Sequence, residues 1–321
     1  MSEERDKVQK IRENFKELEK QISQKTDLKE LFDLWRNAHA SEVDEIKEQM
    51  KVKASINEDD KKIFETELYH SKSRINGIKH KNTISSHFVQ FFDRECSCNE
   101  PAWEYVLKHA FNMDGCYGTF QPRKDGYKYI CLLKEANDSK KVCVKDYEPD
   151  IGEKKINEFV MKEKEKHSML IILNEAFRHF CDKVEKSNPK DFMEETAYMN
   201  VNKRGGTSST VRFDQTAVIN YAGKYRKFIL KEIDLLSLGN KEVTVFVCGK
   251  RDNYFEKLVE KLCKDAVKIK EGIYQYTYTT GSKNKKINFV SITHPSPPAI
   301  KKNDKGFQKL ADEMLRAFRE D

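Results

Sequence analysis

Tyr-Ile-Cys-Leu-Leu-Lys-Glu-Ala-Asn-Asp, residues 129–138, is the stretch that decides the fold. Ile130, Cys131, Leu132 and Leu133 form an unbroken apolar run, the pattern of a strand buried on both faces in a parallel sheet. The run then breaks into Lys134, Glu135, Ala136, Asn137 and Asp138. In an open parallel sheet ligands bind just beyond the carboxyl ends of the strands, so chemistry is expected at this polar cluster.

Three later stretches repeat the pattern. Thr196 to Val201 reads as a short strand carrying Asn200 and followed by Asn202, Lys203, Arg204, Gly205 and Gly206. Val243 to Cys248 is a third strand, and Ile287 to Thr293 a fourth that runs into His294-Pro-Ser-Pro-Pro298. Between them lie helical patterns. Residues 154–186 place Met169, Ile172, Leu173, Ala176, Phe177 and Phe180 on one face. A long helix opened by Asp214 runs through Val218, Ala222, Tyr225, Ile229, Ile233 and Leu236 and closes at Gly239. Tyr254 to Cys263 is a further helix, and Asp304 caps a last one striped by Phe307, Leu310, Ala311, Met314, Leu315 and Phe318. Tyr274, Tyr276 and Tyr278 alternate before Gly281 as the arm of a hairpin. Strands and helices alternating four times predict an α/β fold, a four-stranded, mainly parallel sheet flanked by helices.

Residues 2 to 80 hold no proline and a single glycine, Gly77. Phe15, Leu18 and Ile22 predict one amphipathic helix, and Leu28, Leu31, Phe32, Leu34, Trp35 and His39 a second. Asn57 with Asp59 and Asp60 marks the start of a third. Pro101, Gly115, Gly118, Pro122 and Gly126 then cluster for the first time. The expected division is a helical N-terminal region, 1–95, and an α/β domain, 96–321. The N-terminal helices read as a packing appendage, a self-association surface or a surface for a protein partner or nucleic acid.

The net charge of +7 is unevenly spread. Residues 1–100 carry 19 basic against 21 acidic residues, and residues 101–321 carry 41 against 32. The basic excess of the second part favours a polyanionic partner, or is ordinary solubilising lysine. Charged residues make up 35% of the chain and mean hydropathy is −0.80, yet the apolar content suffices for a sizeable core. Eight cysteines include no C-x-x-C pair, and Cys96-Ser-Cys98 is a poor metal signature. Cys131 and Cys248 sit in apolar strand patterns that suit reduced thiols. With no apolar run long enough to span a bilayer and no signal peptide, the expected setting is the cytoplasm, away from membranes.

An acidic cluster after the first strand, an Asn after the second and His-Pro-Ser after the last, in that order, resemble the uracil-DNA glycosylase superfamily. That family's first motif takes forms of G-Q-D-P-Y-H or G-E-A-P-G, and its last is H-P-S. This chain offers K-E-A-N-D at 134–138, which departs at the first, fourth and fifth positions, and H-P-S-P at 294–297. The segment 198–204, Tyr-Met-Asn-Val-Asn-Lys-Arg, is similar to the family's strand that ends in a base-reading Asn with a basic residue three positions on. The resemblance covers about residues 125–320 and leaves the N-terminal helices aside.

What the resemblance implies is a DNA base glycosylase that flips a nucleotide and hydrolyses its N-glycosidic bond without a metal or other cofactor. The iron–sulfur branch of the family carries four cysteine ligands at a spacing this chain lacks. Physical chemistry asks for the same kind of site. Breaking the bond leaves an oxocarbenium-like sugar and an anionic base, so negative charge is needed near the sugar and donors near the base. Glu135 or Asp138 would steady the cation or orient water, or else cap the next segment. His294 would donate to the leaving base, or simply close a strand. Asn200 offers donor and acceptor to a flipped pyrimidine, or makes a turn. Tyr147 falls near the place where the family stacks an aromatic on the base, or is a core tyrosine, and Asn137 and Asp138 stand where the uracil-specific branch has Pro-Tyr. Lys203, Arg204, Ser296, Lys301 and Lys302 are the expected phosphate contacts, Lys301 and Lys302 being otherwise plain solvated charge. A catalytically silent nucleic-acid-binding or partner-binding protein with the same fold is the alternative.

Overall fold

The computed structural model describes residues 2–54, 124–137, 168–184, 196–206, 212–249, 253–280, 283–295 and 299–318. The chain divides into two compact units. The first takes in Met1–Asn112, Glu135–Ile151 and Asn202–Tyr221, and the second Met113–Lys134, Gly152–Val201 and Ala222–Asp321.

In the first unit, α1 (Ser2–Gln21) and α2 (Leu28–Ala54) form an antiparallel pair joined by a short 3-10 turn, Ile22–Gln24. Asp27 starts α2 by accepting the Glu30 amide on its carboxylate at 2.8 Å. Leu28, Leu31, Phe32, Leu34, Trp35, Ala38, His39 and Val43 are buried, the apolar stripe expected from the sequence extended by one turn. Arg12 and Glu45 tie the two helices at 2.7 Å. The third helix expected from Asn57 lies outside the described residues.

The second unit is built on a mixed six-stranded sheet in the order β2-β1-β3-β6-β5-β4. These strands are β1 (Tyr129–Asn137), β2 (Thr196–Gly206), β3 (Glu242–Cys248), β4 (Val267–Lys270), β5 (Ile273–Thr280) and β6 (Lys283–Ile292). The unit's share of β1 ends at Lys134 and its share of β2 at Val201. β1, β3 and β6 are parallel neighbours, with Leu132 opposite Val247 and Cys248 opposite Ile292. β5 and β4 extend the sheet in antiparallel fashion, so the expected count of four strands becomes six. The tyrosine alternation is the hairpin arm β5, which returns along β6 through Thr280 and Lys283. The sequence Val-Lys-Ile-Lys of β4 went unread because four residues at the sheet edge, with Val267 and Ile269 exposed, carry no burial pattern.

The remaining helices are α3 (Ser168–Val184), α4 (Arg212–Lys224), α5 (Arg226–Leu236), α6 (Tyr254–Leu262) and α7 (Asp304–Leu315). One sheet face, carrying Tyr129, Cys131, Leu133, Phe246, Cys248, Val290 and Ile292, packs with α3 and α7 around Phe177, Phe180, Leu310 and Met314. Tyr129 meets Phe177 and Phe180 edge-on and stacks on Phe246. On the opposite face α6 sends Phe255 against Tyr274. There Asp234 of α5 receives the Lys285 ammonium at 3.0 Å and the Tyr278 hydroxyl at 3.3 Å.

Several boundaries differ from expectation: β2 runs on to Gly206 rather than ending at Val201, and β6 starts at Lys283 rather than Ile287. β1 stays extended through Asn137 rather than ending at Leu133, because an apolar run reports burial and not where the backbone stops being extended. The long helix is two, α4 and α5, parted at Tyr225, whose φ of −100° and ψ of 20° leave helical geometry two residues after the weak helix former Gly223. The cap of α7 is Asn303, which accepts the Gly306 amide at 3.0 Å, and Asp304 is the first residue inside.

Candidate active site at the strand ends

In the second unit the register of three parallel strands brings Lys134, Gly249 and Ile292 level. Lys134 lies two residues past Leu132 of β1, and Gly249 two past its partner Val247 of β3. The Gly249 amide donates to the Ile292 carbonyl of β6 at 2.9 Å, and His294 follows two residues later. Parallel alignment of β1, β3 and β6 thus carries Lys134, Gly249 and His294 to one edge, the place where a doubly covered sheet presents its ligand site.

Lys134 is 8% exposed. Its ammonium stands 4.7 Å from the centroid of the Tyr254 ring at the start of α6, a cation–π contact in surroundings that screen it little. Gly249 makes the room. Its φ of +124° is open to glycine, and a Cβ there would fall 2.8 Å from Lys134 Cε and 3.3 Å from Nζ. Tyr254 itself is buried.

His294 is half-buried. Burial, and then the positive charge of Lys134, push its imidazole down to about 4, so at neutral pH the ring is uncharged. Just before it, the Thr293 amide and hydroxyl donate to the two carboxylate oxygens of Glu313 on α7, at 2.6 and 3.0 Å, which anchors this strand end to the helix. Beneath the site the free thiols of Cys131 and Cys248 lie 3.4 Å apart. Burial first, then the Cys131 thiol, raise Cys248 well above its ordinary value, so it is a poor nucleophile.

The other expected residues fall as follows. Glu135 and Asn137 continue β1 directly after Lys134, and Arg204 continues β2. Asn200 is buried in β2, at 5% exposure. Lys301 and Lys302 are exposed ahead of α7. Asp138, Tyr147 and Ser296 lie outside the described residues. Lys203, expected at a phosphate, is fully buried in the first unit, its ammonium 5.5 Å from the ring centroids of both Phe32 and Trp35. Its charge meets aromatic faces of α2 rather than solvent.

No motif in the sequence marks Lys134, Gly249 or Tyr254. Lys134 was visible only as the first polar residue after an apolar run, and Gly249 only as a glycine at a strand end, a signal for close backbone approach. Comparison with protein-family models, with curated proteins and with solved structures found no match to this chain.

Proposed function

We propose that this protein is a DNA base glycosylase with the parallel-sheet core of the uracil-DNA glycosylase superfamily, acting on a modified pyrimidine. It would act in the cytoplasm, in repair or against genomes that carry modified bases, with DNA as its partner. The observation that carries this reading is a neutral imidazole, His294, at the carboxyl edge of parallel strands with a cation beside it. Such a ring does not give up a proton at neutral pH, but its N–H donates a hydrogen bond to a base leaving as an anion. Glu135, next in β1 after Lys134, or Asp138 is the carboxylate assigned to the sugar cation or to water. Asn137 and Asp138, in place of the Pro-Tyr of the uracil-specific branch, leave hydrogen-bonding groups beside a 5-substituent. A site built to pair with such a group rejects bases that lack it.

The test is release of free base, with an abasic site left behind, from duplexes that each carry one modified pyrimidine. A pyrimidine with a polar 5-substituent is expected to be excised faster than uracil. His294→Ala should slow release by roughly two to three orders of magnitude, the scale of one preorganised donor, while DNA binding persists. DNA retained without release of any base would assign the chain to the silent binding class instead.

A further inference from the structure

We propose that Lys134 is a catalytic residue that neutralises the negative charge of the departing base, so that the enzyme's rate depends only weakly on how acidic that base is. The inference rests on the glycosylase reading and adds to it a group outside the motifs that suggested it. Three features of the second unit carry it. Lys134 is almost wholly buried where β1 leaves the core, so its charge acts at short range with little screening by water. It is held there by construction: the Tyr254 ring lies against its ammonium at 4.7 Å, and Gly249 opposite has no side chain, where a Cβ would stand 2.8 Å from Lys134 Cε. The register of β1 on β3, and the Gly249 bond to Ile292, bring this charge to the edge where His294 emerges.

The chemistry needs such a group. When the C1′–N bond breaks, its electron pair stays on the base nitrogen, the water oxygen bonds to C1′, and the water gives up one proton to the carboxylate assigned to it. The free base takes up a proton only after it has left. In the transition state the base therefore carries negative charge that a neutral imidazole meets with one hydrogen bond. A cation in a site of low dielectric supplies the larger share of stabilisation, and it costs no reorganisation because Tyr254 and Gly249 already hold it. A charge placed there favours every base able to leave as an anion. The more basic the leaving nitrogen, the more it favours it.

The experiment measures single-turnover release from one duplex sequence bearing uracil, 5-hydroxymethyluracil or 5-fluorouracil, with the full-length chain and with Lys134→Met. Fluorine makes the departing anion more stable. Between uracil and 5-fluorouracil, neither of which carries a polar 5-substituent, wild type should show a shallow dependence of rate on leaving-group acidity. Lys134→Met should lose roughly two to three orders of magnitude on uracil and 5-hydroxymethyluracil but only about tenfold on 5-fluorouracil, so that its dependence steepens. An equal loss on all three bases would make Lys134 a structural residue and overturn the proposal. If the variant does not fold, wild type alone decides: a dependence as steep as that of uncatalysed hydrolysis overturns the proposal while leaving the glycosylase reading standing. Release of no base by wild type, on these and on the other modified pyrimidines, would overturn both.

Discussion

His294 shows how a single residue's surroundings set its chemistry. Its folded value of about 4 lies below the ordinary 6.5, because burial and the Lys134 charge both disfavour the imidazolium. Between those two values the unfolded chain binds more protons than the folded one, so stability rises with pH across that window. The contribution is complete above pH 6.5 and is lost as pH falls toward 4. Urea midpoints measured from pH 4 to pH 7 should therefore fall on acidification, and His294→Gln, which cannot titrate, should flatten that part of the curve; an unchanged slope in the variant would show that the ring is not held neutral. At this scale the sequence was half legible. His294 announced itself through the Pro-Ser that follows it. Lys203 drew attention because it stands three positions after Asn200, where the resembled family has a basic residue, whereas its burial against Phe32 and Trp35 is a tertiary fact without a local pattern. Lys134 was overlooked for the same reason, since the Tyr254 ring that holds it lies 120 residues away in sequence.

Among the elements, α5 shows how a helix end is fastened to a sheet. Lys285 of β6 is 7% exposed, and its ammonium donates to the Asp234 carboxylate at 3.0 Å and to the carbonyls of Asp234 and Ser237 at 3.1 and 3.2 Å. Three acceptors on one turn fix where α5 stops, and the Tyr278 hydroxyl from β5 closes the group. Removing the carboxylate leaves a buried ammonium with backbone partners only. Asp234→Ala should cost about 3 kcal/mol, the low end for breaking a buried pair because the two carbonyls remain, and Asp234→Asn should cost less. Urea unfolding of both variants checks this; equal costs would mean that charge is not what holds Lys285. Strands β1, β3 and β6 were legible as apolar runs because both their faces are covered. The division of α4 from α5 was not, because Val218, Ala222, Tyr225 and Ile229 keep helical spacing straight across the break.

For the molecule as a whole, the N-terminal helices read from sequence as an appendage, since their residues contain none of the strand pattern. Their packing gives them a different standing. α2 shares its compact unit with Asn202–Tyr221, and the contacts are specific. Trp35 stacks on Tyr221 with centroids 6.3 Å apart, the His39 ring nitrogen Nε2 lies 2.8 Å from the Tyr221 hydroxyl, and the Lys203 ammonium rests over both Phe32 and Trp35. Aromatic contacts and a desolvated cation–π pair each add to the apolar area that Leu31, Phe32 and Trp35 remove from water. Deleting residues 2–54 would strip that cover and leave Tyr221 and the Lys203 ammonium without their partners on α2. The truncated chain should melt well below the full one and bind a hydrophobic dye that the full chain does not. Trp35→Ala, the milder change, should cost about 3–5 kcal/mol, the range for losing a large aromatic side chain from a core. The two measurements check each other, because a detachable appendage and a built-in one differ in what deletion does to the rest. A truncated chain with an unchanged melting temperature would return α1 and α2 to the standing of an appendage.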